Sequence, residues 1–339
     1  MRTLFAVGVV LLAASPAAAE DYPHVYLKND KLKVKVYLPD AEKGYYRGTR
    51  FDWAGVCGEV EFAGHKIFLP WKDKHDPTNH DDILGPAEEF GMEAPLGYDE
   101  AKPGETFLKI GVGELEKPKE EKYSFAKKYK IVKPAVWKET QRYLENPPEF
   151  FENLVWESQA SLPTGYGYTY RKGIQLTTRK DEAWIAITHE LKNTGTKLIT
   201  TDFYNHNFFN VDGDPIGPNY RIVFPVEVKA KELRGKFGEL VDLSGKELRF
   251  KDKLTEGFVM AELIGLARVD YSLRWIMLEH RPSTLRVTVL HTGAFEKFNL
   301  WAVKTAICPE PFMKVSELQP GRGVEWVIWY RFSHDPQKK

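Results

Sequence analysis

The sequence predicts an all-β protein built as one large antiparallel β-sandwich. Period-two alternation of apolar and polar residues runs through most of the chain, turn signals recur between the alternating segments, and helical periodicity is thin.

The alternation is plainest in KLKVKVYL. Leu32, Val34, Val36 and Leu38 point one way, and Lys31, Lys33 and Lys35 the other. Such a strand buries one face and wets the other. The same pattern predicts strands at 60–62, 183–191, 285–290 and 324–332. Between them stand AGH at 63–65, NTG at 193–195, DGD at 212–214, SG at 244–245 and PGRG at 320–323, which are turn sequences. Short helical turns are expected only around 148–153 and at Glu317-Leu318. The charged segment LEKPKEEKYSFAKKYK (115–130) reads as a solvated hairpin or loop. No repeat and no linker rich in Gly, Ser or Pro divides the chain, so one domain is expected over 20–339.

The first residues, MRTLFAVGVVLLAASPAAAED, read as a secretory signal peptide over 1–19. Arg2 gives a positive start, and the apolar run from Leu4 to Ala14 is too short for a stable bilayer span. Ala17, Ala18 and Ala19 are the small residues a signal peptidase needs, so a cut is expected after Ala19. The alternative is an uncut N-terminal anchor. The expected location is secreted or periplasmic.

Lys plus Arg and Asp plus Glu both number 48, so no global field draws in nucleic acid or acidic lipid. No nucleic-acid partner is expected, and no membrane partner once the leader is removed. Oligomeric state is open. Nine Trp and 16 Tyr fit either a large β core or sugar-stacking platforms, since a pyranose face is apolar and lies flat on a ring. Tyr166, Tyr168 and Tyr170 share one strand face and make either such a platform or cross-strand packing, the commoner cause. Trp53 and Trp71 carry the same two readings. Cys57 and Cys308 are either a bridge or two buried thiols. No metal is expected. DGDP (212–215) has two carboxylates but lacks the full calcium loop, and His75 and His80 are spaced wrongly for one helix face. No nucleophile elbow, phosphate loop or dinucleotide fingerprint is present.

Three stretches then resemble the galactose mutarotase-like superfamily, which includes the aldose 1-epimerases. LKNTGTKLITTDFYNHNFFNV (191–211) is similar to a strand, an NTG turn and a strand leading to an N-H-x-[YF]-F-N-L motif. ICPEPF (307–312), followed by LQPGRGVEWVIWYRF, is placed like the family's C-terminal glutamate, PG turn and last strand. YYRGTRFDWAGVCGEVEFAGHKIF (45–68) is placed like its early arginine turn and hairpin. Two departures are visible. Phe208 stands where tyrosine is usual, and HDDILGPAEEFGM (80–92) offers Glu88 and Glu89 in the region of a second active-site histidine.

The resemblance implies a mutarotase-type supersandwich and interconversion of sugar anomers by ring opening. One group takes the proton of the anomeric hydroxyl, another protonates the ring oxygen, and the roles then reverse. It implies Glu310 as base and His206 as acid, meeting across a pocket that fits one pyranose. No cofactor is needed for proton transfer alone. The prolines beside Glu310 stiffen it, and Asn205 and Asn207 are placed to fix one ring nitrogen of His206. Arg50, whose guanidinium fork suits sugar hydroxyls or a carboxylate, is expected at the substrate with Asn205, Phe208 and Glu89; pairing of that arginine with Asp52 is the alternative. The expected partner is a small sugar or oligosaccharide. Two other functions stay open: a non-catalytic sugar-binding protein, and a polysaccharide-processing protein of the same fold.

Overall fold

The computed structural model describes residues 22–120, 122–148 and 151–334. The expected signal peptide and its cut after Ala19 lie outside the described residues, as does part of the expected turn at 148–153.

Alternation becomes strand almost everywhere it was read. The strands Leu32–Tyr37, Val56–Phe62, Glu182–Asn193, Leu285–His291 and Gly323–His334 cover all five predicted segments. Ala63 and Gly64 both adopt positive φ, 51° and 84°, in the tight hairpin between Val56–Phe62 and His65–Ile67. Helix is confined to Phe237–Leu240 and a 3₁₀ turn at Tyr271–Leu273 among the described residues. Glu317 and Leu318, expected to turn helically, instead finish the long strand Ala306–Leu318, where Leu318 pairs with Ile199 and Glu317 takes a positive φ of 53° at an irregularity in the register.

Two sheets make the body. The larger has ten strands and runs, at its centre, Trp275–His280, Leu285–His291, Gly323–His334, Glu182–Asn193, Gly167–Arg179. The smaller has six, ordered Lys229–Gly235, Val259–Ile264, Lys297–Val303, Ala306–Leu318, Ile199–Asn207, Pro86–Phe90. Their pairings are antiparallel throughout. The sheets face each other across the main core, where Phe203 meets Trp326 at 5.0 Å and Phe90 meets Tyr170 at 5.0 Å. This is the all-β sandwich that the alternation predicts.

Several aromatic and thiol readings are decided here. Tyr168 and Tyr170 are fully buried between the sheets, so they pack the core and form no sugar platform. Trp53 is buried as well. Cys57 and Cys308 are free and buried. Burial pushes the Cys57 thiol up to about 12.

A charged cluster crosses this core. Lys172 Nζ contacts Glu88, lies 3.3 Å from Asp52 and donates to the Ala54 carbonyl at 2.7 Å. His189 Nε2 sits 3.0 Å from Glu88. Burial opposes the charge on Glu88, but Lys172 and His189 outweigh it and hold the carboxyl down at about 2. The cluster ties the small sheet, through Glu88, to the large sheet, through Lys172 and His189.

Candidate functional site

The strand Ile199–Asn207 sends successive side chains to opposite faces. Phe203 goes to the inter-sheet core, as does Phe209 just beyond the strand, while Tyr204 and Phe208 join a second apolar cluster on the far side of the small sheet. His206 therefore lies on that far face, stacked on Phe208 at 4.0 Å and edge-on to Phe51 at 5.8 Å and Trp301 at 5.7 Å.

Its neighbours follow from register. On one side Tyr204 pairs with Glu89 and His206 with Ala87. On the other, Tyr204 pairs with Phe312, and an isolated bridge joins Phe209 to Ile307. The register is the same at both points, so His206 falls directly opposite Glu310. Regular ladder pairing lapses between those points. Pro309 and Pro311 occupy the two positions whose N–H groups would have bonded across, and proline has none to give. In their place the Asn207 side-chain amide donates to the Pro309 carbonyl at 2.8 Å. His206 and Glu310 thus form a non-hydrogen-bonded cross-strand pair, the kind in which side chains approach most closely. His206 Nε2 lies 3.0 Å from Glu310 Oε1, with only 7% and 8% of the two side chains exposed.

The pair touches directly, whereas the sequence led to an expectation of two groups separated by a sugar ring. The cross-strand register brings them together among aromatic side chains.

A second ionic group borders the pair. Arg50 donates from Nε to Glu89 Oε2 at 2.9 Å and from Nη2 to the Tyr204 hydroxyl, with its guanidinium 4.4 Å from the Phe51 ring and 4.3 Å from the Phe125 ring. Lys109 holds the other Glu89 oxygen at 2.7 Å. Burial disfavours the Glu89 charge, but Lys109 and Arg50 outweigh it and keep its carboxyl below the usual range. Burial likewise opposes the Arg50 charge, and Tyr204, Glu89 and Glu310 together raise its pKa nonetheless. Arg50 is fixed beside the pair rather than bound to Asp52, which turns inward to Lys172.

Four expected site residues, His206, Glu310, Arg50 and Glu89, thus converge. Phe208 is fully buried, clamped between His206 and Trp71, whose ring stacks on it at 5.3 Å, so it backs the imidazole and offers no surface of its own. Asn205 does not join them. It is 0% exposed on the opposite face, where its Oδ1 accepts from the Tyr330 hydroxyl at 2.8 Å. The alternation that brings His206 to the site removes Asn205 from it, and neither Asn205 nor Asn207 bonds the histidine ring. The DGDP carboxylates also diverge: Asp212 takes His65, and Asp214 takes Asn219 and His280.

Solved structures with this arrangement of sheets are numerous. A putative aldose 1-epimerase from Escherichia coli K12 superposes with a TM-score of 0.53 at 13% identity, covering 92% of this chain and 99% of its own. A galactose mutarotase-like protein from Clostridium acetobutylicum gives 0.54 at 13% identity, covering 91% and 95%. The Slr1438 protein from Synechocystis sp. PCC 6803 gives 0.57 at 13% identity, covering 95% and 100%. The fold is galactose mutarotase-like. No family model matches the sequence, and no curated protein matches it.

On this mutarotase-like fold, sequence reasoning missed Tyr204, Lys109 and Trp301. Tyr204 was within reach, because it stands two residues before His206 and so shares its face. Lys109 carried a weaker signal, a lone cation in the apolar run FLKI. Trp301 and Phe125 gave none, since only the fold brings them near.

Proposed function

We propose that the chain is a carbohydrate isomerase of the aldose 1-epimerase kind, interconverting sugar anomers by proton transfer between Glu310, His206 and the sugar. The observation that carries this reading is the 3.0 Å contact between His206 Nε2 and Glu310 Oε1 among the rings of Phe208 and Trp301. A carboxylate and an imidazole in contact exchange a proton readily, and anomer interconversion needs two groups whose roles reverse. A bound pyranose takes the place of the direct contact. Glu310 then accepts the anomeric proton as His206 protonates the ring oxygen, and the two exchange roles after the aldehyde rotates. Trp301, half-buried beside His206, offers an apolar face for the ring. Arg50 stays charged near Glu310 and borders the site with a fixed positive group. Proton transfer of this kind calls for no organic cofactor.

Polarimetry on fresh α-anomers of common aldoses, at matched buffer concentration, tests the reading. Acceleration by the protein that is lost in both His206→Ala and Glu310→Ala supports it. Equal rates with and without protein, across the aldoses tried, defeat it.

A second reading rests on the closeness of the same pair. Two groups already in contact with each other, each less than a tenth exposed, suit a binding protein that has lost turnover. Sugar-dependent tryptophan fluorescence without any acceleration distinguishes that case. The apolar leader supports a location outside the cytoplasm in either reading, and N-terminal sequencing of the protein recovered from expressing cells tests the cut after Ala19.

A further inference from the structure

The outer face of the ten-stranded sheet departs from the expectation that a water-facing sheet surface is polar. Register lines up Trp275, Leu290 and Trp329 as cross-strand neighbours on adjacent strands. Trp184 stands one pair along, opposite Arg331 and Thr177, with its ring 6.2 Å from that of Trp329 and nearly perpendicular to it. Alternation sets this face: Ile185, Ile187, Ile328 and Tyr330 point into the core, so Trp184 and Trp329 cannot. All three tryptophans are half-buried, and Tyr271 at the rim is 64% exposed. Together they line a cavity of about 300 Å³, within the size range of small-molecule sites.

The rim is cationic. Arg179 lies 6.0 Å over the Trp184 ring, and Arg274 lies 5.8 Å over Tyr271. Arg274 is braced by the carbonyls of Val269 at 3.2 Å and Thr292 at 2.7 Å, which fix its direction without neutralising it. Among the described residues, Arg331 alone of the three meets a carboxylate, Glu182 at 3.8 Å. Among the described residues Arg179 and Arg274 thus make no close ion pair beside the flat aromatic surfaces, although Glu182 stands opposite Arg179 in the strand ladder.

We infer that this groove is a second carbohydrate site, for an acidic glycan chain. Pyranose faces stack on the tryptophan rings, and the guanidinium forks take uronate carboxylates, a geometry that arginine matches with paired hydrogen bonds. The charge decides the occupant. An uncharged glycan leaves both arginines unused, and a purely apolar partner buries them unpaired at a cost. The groove lies on the large sheet, whereas His206 and Glu310 lie on the outer side of the small one, so it is independent of the proposed isomerase site.

The test uses the full mature chain with tetragalacturonate as probe and maltotetraose as the neutral control, read by calorimetry and tryptophan fluorescence. Saturable tetragalacturonate binding is expected, weakened on the order of tenfold or more by Trp184→Ala with Trp329→Ala, as for a stacking anchor. Arg179→Gln should weaken it less and flatten its salt dependence. His206→Ala should leave it intact, which separates this site from the other. Unchanged melting temperatures confirm that the groove variants fold; should the double variant not fold, Arg179→Gln and Tyr271→Ala carry the test. The inference fails if tetragalacturonate does not bind. It fails if binding ignores the groove variants, or if maltotetraose binds equally well. A concentration-dependent dimer abolished by Trp329→Ala, without glycan binding, would assign the face to self-association instead.

Discussion

Glu310 and His206 stand opposite each other on neighbouring strands, 3.0 Å apart, at the stretch where two prolines remove the ladder donors between those strands. The contact thus sits at a gap in the ladder between these two strands, and the first prediction follows from it. The two groups act as a unit, so their losses should not add. Glu310→Gln and His206→Gln should each slow mutarotation by roughly a hundred- to ten-thousand-fold. The double variant should be no slower than the worse single one. Polarimetric rates for the three proteins check this, and multiplicative losses would mean that the groups work independently.

Asn207 bridges the proline gap. Its amide donates to Pro309, and its Oδ1 accepts from the Tyr330 hydroxyl at 2.7 Å. Asn207→Ala strands the buried Pro309 carbonyl at about 1–3 kcal/mol, while the Tyr330 hydroxyl keeps Asn205 as its acceptor. It should lower the urea midpoint and, by releasing the strand that carries Glu310, reduce turnover as well. A variant that loses stability while keeping full activity would show that the bridge does not position the carboxylate.

Lys172 is the cation shared by Glu88 and Asp52 between the sheets. Lys172→Met leaves Glu88 with His189 alone and Asp52 with no cation, and should cost about 3–5 kcal/mol in urea unfolding. Adding Glu88→Gln should recover part of that loss. If the double variant is less stable than the single one, the lysine contributes by packing and not by charge.

His291 is buried with neither ring nitrogen hydrogen-bonded. Burial, aided by nearby His189 and opposed by Glu88, pushes its pKa from 6.5 down to about 3. The sign follows directly. The unfolded chain takes a proton below pH 6.5 that the folded chain refuses until about pH 3, so folding stability falls across that window as pH drops. The slope from this one group approaches 1.4 kcal/mol per pH unit, about one proton's worth. His291→Leu should flatten the loss between about pH 6.5 and pH 5, measured by urea unfolding. Parallel losses in both proteins would place the acid sensitivity elsewhere.

Much of this was legible in the chain. Alternation is a local property, fixed by side-chain direction along each strand, so it predicts the sandwich, and the equally local turn sequences predict the turns at 63–65 and 193–195. The same rule, applied one step further, would have placed Lys172 in the core with Tyr168 and Tyr170, and Asn205 away from the site. What alternation cannot supply is which strand lies beside which, and in what register. That is set by the packing of whole sheets, so the facing of Glu310 to His206, the hold of Glu89 and Tyr204 on Arg50, and the gathering of three tryptophans on one outer face were settled only by the tertiary structure.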